Sequence, residues 1–239
     1  MREIEMFRQQ PSKERRGIPN LAHQAETGNL NSWFPMMLIA YCYRTTSKAG
    51  RDHMRVPLSG GPSQEIVKVQ SGTVRCPRIT SATCVLAEIS PDHNQMLFSA
   101  FDPITGRGHE LKRFANDHAD ELGWDLSPDG TKVVAFRDTD SQFHIIPLHL
   151  TGRDRILQTQ NGINLKNLLW AADGKGFFAS APTQRGAEFV YVNLQGRSKH
   201  LWELSGYNMF IAGRASPNGR HLAIQGSAGN SNVWMIENF

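Results

Sequence analysis

A short turn that returns at a fixed interval constrains this chain more than any other feature. Leu126-Ser127-Pro128-Asp129-Gly130 is followed 44 residues on by Trp170-Ala171-Ala172-Asp173-Gly174, and after a further 45 by Ala215-Ser216-Pro217-Asn218-Gly219. Ile89-Ser90-Pro91-Asp92 reads as another copy, with His93 in the place of the glycine. Proline presets its own backbone angle, aspartate accepts a hydrogen bond from a following amide, and glycine takes the positive φ that other residues resist. Each copy therefore spells a tight turn between two strands. A period in the forties marks repeated units that bury their apolar faces against one another.

The flanks keep step with the turn. Short bulky runs follow the three glycines, at residues 132–136, 176–180 and 221–225, and have the length of buried strands. Twenty-two residues after Gly130 and Gly174 stand Gly152 and Gly196. They are preceded by the alternating ladders Ile146, Leu148, Leu150 and Val190, Val192, Leu194, the period of a strand with a buried face. Met54, Val56 and Leu58 repeat the ladder before Gly60-Gly61, and Val233-Trp234-Met235-Ile236 supplies its counterpart in the last unit. The most apolar run, Phe34 to Tyr43, is about half the ~20 residues that span a bilayer, so it reads as strand and the chain as having no membrane span. Trp33 lies 27 residues before Gly60, against 26 for Leu126 and Trp170 before their glycines. The first unit is thus a repeat that has lost its turn.

These intervals predict an all-β fold, a β-propeller of about four to five four-stranded blades with the first degraded and the last incomplete. The expected blades are residues 29–70, 73–115, 119–160, 163–204 and 207–239. Residues 1–28, rich in both charges and poor in apolar periodicity, read as a flexible polar arm. Residues 2–8 carry a short alternation that would suit an edge strand. An unfinished last blade leaves unpaired backbone groups. Either the arm completes it, or the chain is a portion of a larger propeller, which is the favoured expectation.

The chemistry-bearing clusters each have a plainer reading. Gly106-Arg107-Gly108 breaks the phosphate-loop pattern at Leu111 and reads as a turn. His109-Glu110 lacks the second histidine of a zinc-protease helix. Asn116-Asp117-His118-Ala119-Asp120-Glu121 gathers carboxylates but not the spacing of a calcium loop. No strained nucleophile elbow occurs. No catalytic, cofactor-binding or metal-ligating residue is therefore expected, no cofactor, and no enzyme activity. A net charge of +4 spread along 239 residues makes no basic stripe, which argues against a nucleic-acid partner. Cys76 and Cys84 flank a short turn and would either form a disulfide or remain buried thiols. Trp124, Trp170, Trp202, Trp234 and the pair Phe177, Phe178 read as packing residues at corresponding places in the units.

The Ser-Pro-Asp-Gly turns, together with Leu58-Ser59-Gly60-Gly61-Pro62 and the close Ser231 to Ile236, resemble the WD40-like propeller repeats of the TolB type. They look like the propeller at the carboxyl end of bacterial serine/threonine kinase-like and winged-helix regulator proteins. The likeness covers about residues 50–239, and no kinase segment accompanies it. It implies a non-catalytic binding or scaffold module for a protein, peptide or cell-envelope ligand, as the sensor part of a larger regulator. It also implies a periplasmic or extracytoplasmic setting, although no signal peptide is visible, so localisation and oligomeric state stay open. Two other readings stand beside it: the gating propeller of a peptidase whose catalytic domain is absent, and a gene remnant.

Overall fold

The computed structural model describes residues 30–33, 39–46, 50–57, 62–78, 82–138, 140–149, 151–160, 162–205, 210–216 and 219–227. Their strands form antiparallel meanders in which each strand pairs only with its sequence neighbours. The first sheet is β1 (Leu30–Trp33), β2 (Ile39–Thr46), β3 (Gly50–Pro57) and β4 (Gln64–Val69). The second is β5 (Gly72–Arg75), β6 (Cys84–Ile89), β7 (Gln95–Asp102) and β8 (Gly106–Ala115). The third is β9 (Leu122–Leu126), β10 (Lys132–Arg137), β11 (Gln142–Pro147) and β12 (Arg155–Gln158). The fourth is β13 (Lys166–Trp170), β14 (Gly176–Thr183), β15 (Gly186–Asn193) and β16 (Ser198–Ser205). A two-stranded sheet, β17 (Phe210–Ala215) and β18 (Leu222–Ser227), follows.

The sheets stand side by side about a common axis. First strands touch first strands, β1 against β5, β9 against β13 and β13 against β17, while β4 touches β8. Between β5 and β9 the contact is a hydrogen bond, Trp124 Nε1 donating to Thr73 Oγ1 at 2.7 Å. First strands therefore line the axis, and the architecture is a β-propeller.

This arrangement explains why residues 133–136 are apolar without alternation. Val133 and Ala135 join the cluster that binds the third blade to the second, whereas Val134 and Phe136 join the cluster that binds it to the fourth. Successive side chains point to opposite faces of a strand, and a middle blade has a neighbour on both faces. The two ladders obey the same rule. Ile146 and Leu148 serve the interface toward the second blade, and Val190 and Val192 the interface between the third and fourth.

The turn chemistry is as the residues dictate. Ser127 Oγ donates to Asp129 Oδ1 at 2.6 Å and accepts Lys132 N–H at 3.1 Å, while Thr131 N–H reaches Asp129 Oδ1 at 3.1 Å. Gly130 takes φ 73°. In the second blade Ser90 Oγ accepts Gln95 N–H at 2.9 Å, and His93 adopts φ 61° where the glycine would stand.

Two expectations need correction. Ser90-Pro91-Asp92 is the same turn locally, but it joins β6 to β7, the second and third strands, whereas the other copies join first to second. Turns of an antiparallel meander alternate ends, so this copy lies on the opposite face of the ring. In its blade the first corner is the loop between Cys76 and Cys84, which a disulfide closes. The 37-residue interval from Asp92 to Asp129, against 44 from Asp129 to Asp173, reflects that shift. Nor do the tryptophans occupy corresponding places. Trp124 and Trp170 sit on first strands two positions apart relative to their turns, and Trp202 on a fourth strand. Each fills a local need, Trp124 edge-on to Phe98 and Trp170 against Phe177.

Glycine is required at two first-strand positions for close approach. A Cβ on Gly123 would come within 2.6 Å of the ring of Phe136, its cross-strand partner, and one on Gly213 within 2.2 Å of the Phe189 ring of the neighbouring blade. Residues 2–8, Phe34 and Val233 to Ile236 lie outside the described residues.

Candidate functional site

The turns between first and second strands of successive blades meet on one face and form a continuous rim. Arg78 N–H donates to the carbonyl of Pro128 at 3.0 Å. Gly130 lies against Pro77 and Ala82, Gly174 against Pro128, and Gly219 against Ala172. From the disulfide loop of the second blade the Arg78 guanidinium reaches the last sheet, with Nη1 donating to the carbonyls of Ala215 at 3.0 Å and Ser216 at 2.6 Å. Burial lowers its pKa from the ordinary arginine value, Asp125 opposes that and Arg214 adds to it, but a guanidinium stays charged.

Inside this rim a cavity of about 640 Å³ runs along the first strands of the second to fifth sheets. Its polar wall is Thr73, Arg75, Asn167, Arg214 and Gln225, and its apolar wall includes Leu122, Leu168, Leu169 and Ile224. Asn167 holds φ 54° at the irregularity between Lys166 and Leu169 of β13, a left-handed position that asparagine takes more readily than most residues. Beside the cavity Asp125 is buried, 9% exposed. Its Oδ2 accepts the Trp170 amide at 2.9 Å, and its Oδ1 lies 3.6 Å from Arg75 Nε. Burial pushes the Asp125 carboxyl above the ordinary range, against the opposing pull of Arg75, the Trp170 amide and Arg214. The Arg75 guanidinium also lies 5.9 Å from the centroid of the Trp124 ring.

Replacing Arg78 by methionine keeps the aliphatic stem and removes two charge-assisted hydrogen bonds. Such bonds contribute roughly 1.5–3 kcal/mol each when buried. At a half-buried position solvent screening reduces the total to about 1–2 kcal/mol. The expected result is a lower urea midpoint with an unchanged slope.

The clusters singled out from sequence are scattered. Gly106, Arg107, Gly108, His109 and Glu110 all belong to β8. Arg107 pairs with Glu88, and Glu110 with Arg113 at 2.8 Å. Residues 116–121 link the second blade to the third on the face opposite the rim. There Arg137 donates to the Asp117 carbonyl at 2.7 Å and pairs with Glu121 at 3.1 Å, and His93 lies 3.4 Å from Asp120. Among the described residues no group of three or more His, Cys, Asp or Glu is placed to hold a metal, and no helix is long and apolar enough to cross a membrane. Arg75, Arg78, Asp125, Asn167 and Arg214 escaped the sequence reading. Its one available signal was a carboxylate inside the otherwise uncharged strand Leu122-Gly123-Trp124-Asp125-Leu126.

Four-stranded meanders with their first strands toward a shared axis define the chain as a β-propeller. The fold is similar to that of TolB from Acinetobacter baumannii, with a TM-score of 0.56 and 18% identity over 81% of this chain and 48% of TolB. The chain thus spans about half the length of that structure, and the likeness is one of fold. Weaker similarities are to a putative TolB from Agrobacterium tumefaciens, TM-score 0.47 and 15% identity over 79% of this chain and 66% of that one. A putative 6-phosphogluconolactonase from Bacteroides uniformis gives a TM-score of 0.48 and 13% identity over 80% and 61%. Neither bears on function. No protein-family model matches the sequence, and no curated protein matches it.

Proposed function

We propose that the chain is a non-catalytic propeller module that holds a protein or peptide partner on the rim face. The observation that carries this reading is the rim itself. Corners from four sheets abut one another and are tied across by Arg78, so residues 76–78, 127–131, 171–175 and the described corner residues Ala215, Ser216 and Gly219 are presented on a rigid support. Loops held by a stiff scaffold are where binding residues concentrate, and a partner that meets a preorganised surface loses less ordering entropy. In a regulator this surface would serve as the sensing part.

The test places a photo-reactive residue at Asp173, exposed on the rim, and in a second variant at Asp117, exposed on the opposite face. Cross-linking in an extract of the source cells is expected to give one discrete adduct from position 173 and none from 117. The purified partner should then lose at least tenfold affinity for the double charge reversal Asp173→Lys, Lys175→Glu. Equal capture from both faces, or turnover of a substrate that one polar substitution abolishes, would overturn the reading.

A further inference from the structure

The axial cavity draws guanidiniums from two sheets, Arg75 and Arg214. Arg75, Arg78 and Arg214 all lie within electrostatic reach of Asp125. Three guanidiniums thus gather around Asp125. Arg78 sets its donors on the Ala215 and Ser216 carbonyls, and Arg75 lies nearest Asp125. Arg214 is solvent-exposed and lines the cavity. Among the described lining residues there is no carboxylate, and Thr73, Asn167 and Gln225 add further donors. Much of the remaining lining is aliphatic and aromatic: Leu122, Phe136, Leu168, Leu169 and Ile224.

We propose that this cavity binds a carboxylate carried on an apolar body, with Arg214 and Arg75 taking the acid and the leucine-lined wall taking the body. Converging like charges in a partly dehydrated space favour an anion that neutralises them. The planar fork of arginine matches a carboxylate with two parallel hydrogen bonds. A volume of about 640 Å³ falls in the range of small-molecule sites, which combine apolar walls with a few convergent polar groups. Two sources carry this chemistry: a free branched-chain acid, and the carboxyl terminus of a peptide that ends in an apolar residue. The inference deepens the binding reading above by naming what enters the axis, but it needs no rim partner to be tested.

The experiment is calorimetric titration of the full chain with four probes: 4-methylpentanoate, 4-methylpentanamide, a hexapeptide ending in leucine with a free carboxylate, and the same peptide amidated. Each acid is expected to bind at least tenfold more tightly than its amide. Arg214→Gln should weaken acid binding at least tenfold with an unchanged Tm, whereas Arg185→Gln, an exposed arginine outside the cavity, should leave it unchanged. A free-carboxylate peptide that binds better than 4-methylpentanoate identifies a peptide terminus as the source, and the reverse order identifies a small acid. Equal binding of acids and amides, no binding of any probe, or an Arg214→Gln protein that binds like wild type overturns the proposal. Because no partner is present in the titration, its failure leaves the cross-linking result on the rim standing, and the converse also holds.

Discussion

Replacement of Phe177 by alanine is expected to lower the stability of the chain by about 3–5 kcal/mol, the range for truncating a fully buried phenylalanine. Phe177 is 0% exposed. Its ring sits edge-on to Phe143 at 5.4 Å and against Trp170 at 4.3 Å, in the cluster that joins the third blade to the fourth. The alanine leaves a cavity bounded by two blades, each already fixed by its own hydrogen-bonded ladder, so neither can collapse to fill it. Phe178, the next residue, points to the other face and is only partly buried, stacked on Phe189 at 5.7 Å. Phe178→Ala should therefore cost clearly less. Urea denaturation of both variants measures the difference, and a loss under about 1 kcal/mol for Phe177→Ala, small against the usual range, would contradict a packed interface there.

Removal of the Cys76–Cys84 disulfide is the second large effect. Closing a loop of this length is expected to stabilise by about 2.5 kcal/mol through the chain entropy of the unfolded state, given a sequence separation of 8. The paired substitution Cys76→Ala, Cys84→Ala has a further consequence, because Arg78 rides on that loop and ties it to Ala215 and Ser216. The disulfide and Arg78 share one corner, so their effects should not add. Arg78→Met in the disulfide-free background is expected to cost less than in the intact protein. Simple additivity in urea midpoints would show that the loop holds Arg78 in place without the bridge.

How much of this was legible in the sequence depends on which physical level each feature belongs to. The propeller was legible because Ser127-Pro128-Asp129-Gly130 is a self-contained turn, whose hydrogen bonds close within five residues, and because its interval sets the size of a blade. The ladders were legible because strand alternation is local as well. The position of Ser90-Pro91-Asp92 within its blade was not, since the same local chemistry serves either end of a meander. Only the preceding strand β5 and the disulfide corner decide which end it occupies. The cysteine pair admitted two outcomes, and the bridge follows from the placement of Cys76 after β5 and Cys84 at the start of β6. The axial arginines were invisible for another reason. Arg75 and Arg214 are 139 residues apart and become neighbours of Asp125 only when first strands from three blades meet, so no window of sequence contains the cluster.

The reach of Arg78 from the second sheet to the last has a consequence for how the molecule comes apart. An array in which each unit touches only the next melts from its ends, one unit after another. A guanidinium that bonds carbonyls 137 and 138 residues away couples the fifth sheet to the second directly, so the fifth cannot peel off without disturbing the second. Hydrogen exchange should register this as slow amides in β17 that open together with those of β5, ahead of or behind the third and fourth blades but never independently of each other.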